Sequence, residues 1–381
     1  MRNAVRITLA ATIIGSAAAL PSLARAEVNA ATSPASASRP FKATTIARFD
    51  TPWAIAFLPD GRMLVTEKGG RLFLVTPAGA KTEVAGVPRA QVGGQNGLLD
   101  IAASPGFARD GLVYLSYVEP SSGGGTLALA RAKLTEADGK ARLSDLDVIW
   151  RASPKGGGGQ PGGIIAFDPD GRHLFLSSGD RMEPETAQNA DSNLGKILRL
   201  NLDGSAPADN PMAAQGGVRA QIWSLGHRNP YGLAFAPDGS LWENEMGPRG
   251  GDELNLIRRG LNYGWPVVSN GDNYSGVPIP RHRTRPEFEA PVVYWTPIIA
   301  PAGLAFHSGK LFPQWRGSAF IGALGGEALV RIAFDGKNGA RQADRWDMGA
   351  RIRDVAVDRD GALWLIEDDS DGRLLRLTPA K

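Results

Sequence analysis

LPDGRMLVTE (residues 58–67) and DRDGALWLIED (residues 358–368) are one pattern used twice: a polar turn ending in Asp-Gly, then an apolar strand. The hairpin turns of twisted antiparallel sheet need positive φ, which glycine adopts without steric penalty. The pattern recurs as ARDGLVYLSY (108–117), DPDGRHLFLSS (168–178), APDGSLWENE (236–245) and, more weakly, HSGKLFPQW (307–315). Its turn glycines are Gly61, Gly111, Gly171, Gly239, Gly309 and Gly361, at intervals of 50, 60, 68, 70 and 52 residues. Each interval holds a four-stranded sheet of about 40–50 residues plus a loop of variable length.

Companion strands fit this spacing: 70–76, 127–134, 195–204, 328–336 and 372–379. No long amphipathic helical period interrupts them. The expected fold is therefore all-β, a six-bladed β-propeller of four-stranded antiparallel blades, with residues 41–381 as its single domain. One such sheet cannot bury both its faces, whereas sheets packed radially cover one another. A β-sandwich is the alternative, and regular spacing along the whole chain argues against it. The extra residues in the third and fourth units predict long loops, where binding sites in repeat folds reside.

Residues 1–26 read as a secretory signal peptide: Arg2 and Arg6, an apolar run, then Ala24-Arg25-Ala26 as a small-x-small cleavage site. Residues 27–40 are small, polar and proline-containing, and read as a flexible lead-in. No later stretch is apolar for long enough to span a membrane, so the expected location is the periplasm or the medium. The chain has 42 Lys+Arg against 39 Asp+Glu; the leader holds three arginines and no acid, which leaves 39 against 39. That balance, without basic runs, gives no sign of a nucleic-acid partner. With no cysteine, disulfides, thiolate metal sites and cysteine nucleophiles are excluded.

Several polar groups sit in glycine-rich turns. Gln95 lies in GGQNGLLDIA, and Gln160 in KGGGGQPGGI. Asp180 and Arg181 follow the strand of DPDGRHLFLSSGDR. His227, Arg228 and Asn229 precede a proline in GHRNPYG. Arg228 offers a rigid fork of donors and Asn229 a two-sided amide. Arg351 and Arg353 alternate in ARIRDV, so a strand places them on one face, where two cations need an anion or solvent. In ENEMGPRGGDELNLIRRGLNYGWP (243–266), Asp252 and Glu253 offer carboxylates and Gly247, Pro248 and Tyr263 offer carbonyls, a donor set suited to calcium.

The ordered set GQNGLLDIA, GRHLFLSSGDR, ADSNLGKILRLNLDG, GHRNPYGLAF, NEMGPRGGDELNLIRRGLNYGWP, APAGLAF and RIRDVAV resembles the soluble quinoprotein sugar dehydrogenases, the aldose and glucose dehydrogenases that use pyrroloquinoline quinone (PQQ). The likeness runs from about residue 44 to residue 378. It implies a six-bladed propeller holding PQQ over its central channel, with calcium at the cofactor and elsewhere. It implies that Gly247 and Pro248 give carbonyls to the cofactor calcium, and that Asp252, Glu253 and Tyr263 hold a second ion. Arg228 and Asn229 would meet the quinone, Arg351 and Arg353 its carboxylates, and Gln95 and Asp180 would lie in the catalytic pocket. The implied reaction oxidises C1 of an aldose to a lactone, with electrons passed to an external acceptor, and the implied assembly is a homodimer.

The chain departs from that family where chemistry is decided. Gln160 and Ile164 stand where the family pattern has a general-base histidine and an arginine, and Gly325-Gly326 where a cofactor-binding lysine is expected. An amide has no titratable group near neutrality and cannot serve as a base. His173 lies at the wrong end of its strand to replace it, and His227 reads as a structural donor. The rival expectation is a calcium-stabilised propeller that binds a sugar, a polyol or the quinone without oxidation. A propeller lactonase is a third class, but Asp180, Asp252 and Glu253 are too few carboxylates for its central metal.

Overall fold

All six turn glycines adopt positive φ, between 65° at Gly111 and 88° at Gly61, and each is followed by the second strand of a sheet. The computed structural model describes residues 27–122, 124–336 and 338–380; the signal peptide expected at residues 1–26 lies outside them. First strands are Pro52–Phe57, Leu98–Ala103, Gly162–Phe167, Pro230–Phe235, Pro301–Phe306 and Ile352–Val357. They pair antiparallel with Met63–Glu67, Leu112–Glu119, His173–Ser178, Leu241–Glu245, Ala319–Ala323 and Leu363–Glu367. A third and a fourth strand extend every sheet outward. Each first strand packs beside the next, and the sixth packs beside the first, so these six strands form a closed ring. The second strands are almost wholly buried between neighbouring sheets. Between the sixth and first units, for example, Trp364 and Ile366 pack with Ile55, Met63, Val65 and Phe73.

Ring closure joins distant parts of the chain. The outer strand of the last sheet is Phe41–Phe49, paired antiparallel with Gly372–Pro379. Along the axis, carboxylates staple adjacent first strands. Asp354 Oδ2 accepts from Ile55 N at 2.8 Å, and Asp100 Oδ2 from Ile165 N at 2.7 Å. Burial in this channel raises Asp100 to about 7 and Asp354 to about 8.

Three details differ from the sequence reading. The strand Lys140–Arg151 runs for 12 residues and reaches Lys81–Ala85, pairing parallel at Ala141 and Val84, so the first two units share one eight-stranded sheet. After Gly309, Pro313–Trp315 forms a 3-10 turn and the strand starts only at Ala319, because Pro313 has no N–H for a ladder. Residues 27–40, expected to be flexible, lie along the outer edges of the fourth and fifth sheets. Val28–Asn29 pairs parallel with Val293–Tyr294, Asn29 Nδ2 donates to Thr296 O at 3.0 Å, and Ser36 N donates to Arg345 O at 2.8 Å. Polar composition suggested disorder, but these side chains and amides satisfy an open sheet edge. Among the described residues no helix is long and apolar enough to cross a membrane.

Candidate active site

First strands begin, and second strands end, at one rim of the ring, while the Asp-Gly turns lie at the other. Residues flanking those strand ends therefore converge: Gln95, Gln160 and Arg228 lead into first strands, and Lys68, Asp180, Met246 and Asp368 follow second strands. His173 begins the strand whose far end delivers Asp180, and its Nδ1 lies 2.8 Å from Asp168 Oδ2, away from this rim.

Arg228 is the hub. Its backbone N–H and that of Asn229 both point at Glu245 Oε2, which fixes the turn before Pro230. Its guanidinium is largely buried and donates through Nη1 to Met246 O (3.0 Å) and Gly247 O (2.8 Å), and through Nη2 to the Tyr274 hydroxyl at 3.3 Å. Rings of Trp265 and Tyr274 lie 5.3 and 5.8 Å from it. The Gln160 amide completes this cluster: its oxygen accepts from Arg228 Nη2 at 2.7 Å and its nitrogen donates to Asp180 Oδ1. Gln160 N donates to Gln95 Oε1 at 2.6 Å, and Gln95 Oε1 also takes a 3.4 Å contact from the Tyr231 hydroxyl. Asp180 is 1 % exposed and accepts from Met182 N (2.9 Å) and Trp265 Nε1 (2.8 Å). Burial raises its carboxyl to about 6, against the pull of those donors and of Arg228.

Beside this cluster a cavity of about 220 Å³ is lined by Trp53, Lys68, Gln95, Tyr231, Arg351 and Arg353, among others. The two arginines do share a face, and the anion between them belongs to the protein. Asp368 Oδ2 accepts from Arg351 Nε and Nη2 at 2.9 and 2.7 Å and lies 3.2 Å from Arg353 Nη2. Burial pushes the Asp368 carboxyl up, but Arg353 and Arg351 outweigh it and hold it below the usual carboxylate range. Arg353 stacks 4.1 Å from the Trp53 ring. Trp53, Tyr231 and Arg353 also line the axial channel beneath, a space of about 280 Å³ containing Asp100 and Asp354.

A third cluster is fully enclosed. Glu243, Glu245 and Glu253 surround the Asn255 amide, whose Nδ2 lies 3.1, 3.4 and 3.2 Å from their oxygens. Glu243 Oε1 and Asn255 Oδ1 have no hydrogen-bond partner among the described residues. Burial drives Glu243 and Glu253 well above the usual carboxylate range, and Glu245 adds to both shifts. His227 closes one side: Nδ1 is 3.2 Å from Glu245 Oε1, Nε2 is 2.9 Å from Ser224 Oγ, and its ring stacks on Tyr263. This Ser-His-Glu string is buried in all three members, so it orders the interior and reaches no substrate.

The sequence treated Asp252 and Glu253 as one loop pair, yet they begin the strand Asp252–Ile257 and so face opposite ways. Asp252 organises the backbone: Oδ1 accepts from Gly247 N (2.9 Å), and Oδ2 from Ile299 N and Ala300 N (both 2.7 Å). Glu253, Glu245, Gly247 and Tyr263 instead line a small cavity that Arg228 and Trp265 also border. Pro248 is buried in the same turn. Asn229 is buried with Oδ1 unpartnered. Arg181, next to Asp180 in sequence, is buried elsewhere, with Nη1 on Asn96 Oδ1 at 2.7 Å. Sequence reasoning missed Lys68, Asp368, Trp265, Tyr274, Glu243 and Glu245. Only Trp265 carried a signal, its place in the YGWP turn.

Comparison with known proteins agrees with this geometry. Residues 49–376 match the Glucose / Sorbosone dehydrogenase family. The aldose sugar dehydrogenase YliI of Escherichia coli (strain K12) is 40% identical over 344 residues, covering 87% of this chain and 91% of that protein. The crystal structure of the soluble aldose sugar dehydrogenase of Escherichia coli in its apo-form superimposes with a TM-score of 0.83 at 39% identity, covering 89% of this chain and 100% of that one. The PQQ-bound aldose sugar dehydrogenase of Streptomyces coelicolor does so at 0.72 and 31%, covering 90% and 99%. The chain belongs to the glucose/sorbosone dehydrogenase family of oxidoreductases, the soluble PQQ-type sugar dehydrogenases.

Proposed function

We propose that the protein is an exported quinoprotein that oxidises the C1 hydroxyl of an aldose to a lactone, with PQQ and calcium as cofactors and an external electron acceptor. The observation that carries this reading is the convergence at one rim of Gln95, Gln160, Asp180 and Arg228 beside the Arg351–Arg353 cavity. The closed ring of first strands supports the six-bladed, four-stranded propeller as its scaffold. The assembly we expect is a homodimer, to be read by light scattering.

The residues present fit both groups. Buried, unpartnered oxygens on Glu243 and Asn255, beside Glu245, Glu253 and the Tyr263 turn, are the hard donors calcium takes. Gly247 O already faces a cation, Arg228, and with Pro248 it would hold the cofactor calcium. Asp252 would act by shaping that turn. Arg351 and Arg353 would receive carboxylates of the quinone, and Arg228 and Asn229 would meet its oxygens. When bound, the quinone supplies the hydride acceptor and calcium the Lewis acid.

This chain's own contribution is orientation. Arg228 is held in place by two carbonyls and two rings and positions the Gln160 amide. Gln160 in turn touches Asp180, whose carboxylate is committed to Met182 N, Trp265 and the amide. With an amide at Gln160 and the Asp180 carboxylate held by its donors, no described histidine is placed to take the sugar hydroxyl proton, and the turnover we expect is slow. The second reading, a propeller that binds sugar, polyol or quinone without oxidation, is favoured by that same Gln160. Titration of calcium-loaded protein with PQQ, followed by dye-coupled oxidation of aldoses, tests both. Saturable binding with slow turnover supports the enzyme, saturable binding without turnover the second reading, and no binding at high micromolar quinone refutes both quinone readings.

A further inference from the structure

Lys68 lies outside every motif that pointed to the site, yet it lines the cavity of Arg351 and Arg353. It ends the second strand of the first unit in the turn Glu67-Lys68-Gly69-Gly70, which by sequence is an ordinary solvated turn. Its backbone is pinned at the seam of two units: Lys68 N donates to Thr51 O at 3.0 Å, and Lys68 O accepts from Leu98 N at 3.1 Å. The stem passes over Gly97, where a side chain of any size is excluded, since a Cβ there would lie 2.6 Å from Lys68 Cγ and 2.3 Å from Lys68 O. The stem is thus aimed and the charged end is free. Among the described residues its ammonium makes one hydrogen bond, 3.2 Å to Gly94 O, and no carboxylate pairs with it. The neighbouring Glu67 is turned away and bound by Arg71.

Charge counting gives this side chain its meaning. The cavity holds three cations, Lys68, Arg351 and Arg353, against one carboxylate, Asp368, which both arginines already share. Two positive charges remain uncompensated around a space of about 220 Å³. A neutral sugar leaves them so, whereas a ligand with two or more carboxylates neutralises them through charge-assisted hydrogen bonds. Lys68 enters from the first unit and the arginines from the sixth, so a flat ligand would be gripped from two directions across the seam.

We propose that Lys68 is the third member of a carboxylate-binding bed and fixes the polycarboxylate class of its occupant, which deepens the quinone reading and rests on it. In the absence of a cation at Gly325 or Gly326, Lys68 supplies the charge from another sheet. The test compares the native chain with Lys68→Gln and Lys68→Arg, calcium-loaded, by calorimetric titration with PQQ and separately with benzene-1,3,5-tricarboxylate, at low and moderate salt. Lys68→Gln should weaken both probes about tenfold, the loss of one charge-assisted contact, and flatten the salt dependence. Lys68→Arg should stay within about twofold of native, which also controls for folding. Equal affinities of native and Lys68→Gln for the bound probes overturn the proposal. Lys68-dependent binding of the tricarboxylate without binding of PQQ upholds the bed and removes the quinone reading. Failure of the native chain to bind either probe overturns the bed itself.

Discussion

Gln160→His should raise the rate of the proposed sugar oxidation, and the structure sets how much. Gln160 occupies φ 54°, a left-handed conformation in which histidine is among the better tolerated residues, so the backbone asks little of the change. One imidazole nitrogen can keep the donation to Asp180. The other then carries a lone pair toward the reacting face. Asp180 raises the ring pKa, whereas burial and Arg228 lower it, so the ordinary value of about 6.5 is the reference against which the limb is read. A positioned base contributes roughly 10²–10⁴ in rate, or about 2.7–5.5 kcal/mol. Arg228 Nη2, now 2.7 Å from the amide oxygen, competes for that lone pair, which puts the expected gain at the lower end, about 100-fold in kcat. The assay is dye-coupled aldose oxidation with saturating calcium and PQQ between pH 5 and 9, where the variant should gain an acid limb near pH 6.5 that Gln160→Asn lacks. Stoichiometric quinone binding with kcat unchanged within about twofold would refute the reasoning and favour the non-oxidising reading.

Asp252→Ala leaves three backbone N–H groups without their acceptor and should cost about 3–5 kcal/mol in urea unfolding; a cost below about 1 kcal/mol would mean the cradle reorganises freely. Asp100 and Asp354 are raised to about 7 and about 8, so the folded chain holds protons that the unfolded chain has already lost. Their contribution is present below about pH 4 and is lost as pH rises toward 8; melting temperature should fall across that window, and Asp354→Asn should flatten the fall. If the three enclosed glutamates hold calcium as proposed, its chelation should lower the melting temperature; an unchanged melt would leave those glutamates to protons alone. Tyr274→Ala should release Arg228 from one of its rings and raise KM for the sugar several-fold more than it lowers kcat.

The repeat was legible because Asp-Gly turns state their backbone geometry locally: six glycines, six positive φ values. Arg228, Gln95, Gln160 and Asp180 were legible for a related reason, since each abuts a strand end marked by glycine or proline. What escaped was whatever depends on partners far along the chain. Asp368 answers Arg351 and Arg353 from across a hairpin, and one of three aspartates in IEDDSDG resembles any surface acid. Glu243 and Glu245 alternate with Trp242 and Asn244 in LWENE, yet all four are buried, because neighbouring sheets cover both faces. The Asp252–Glu253 pair was read as a loop, and one residue of strand alternation separated their tasks. Residues 27–40 are as polar as a disordered tail, and only open sheet edges elsewhere give them structure.

The pairing of Phe41–Phe49 with Gly372–Pro379 has a temporal side. Arg48 meets Asp371 across 323 residues of chain, so at 5–20 residues per second the first of these strands is synthesised roughly 15–65 s before its partner exists. Through that interval FKATTIARF is an unclasped edge, the kind of segment that recruits other chains. Its Lys42 and Arg48 put charge near both ends of the strand, a gatekeeping arrangement that disfavours premature pairing. Once clasped, Ala380 N donates to Pro40 O at 3.1 Å. A short linker there, with new ends cut at the open Gly239 turn, would make both halves of the clasp neighbours in sequence and abolish the wait, at the loss of the edge contacts that residues 27–39 make.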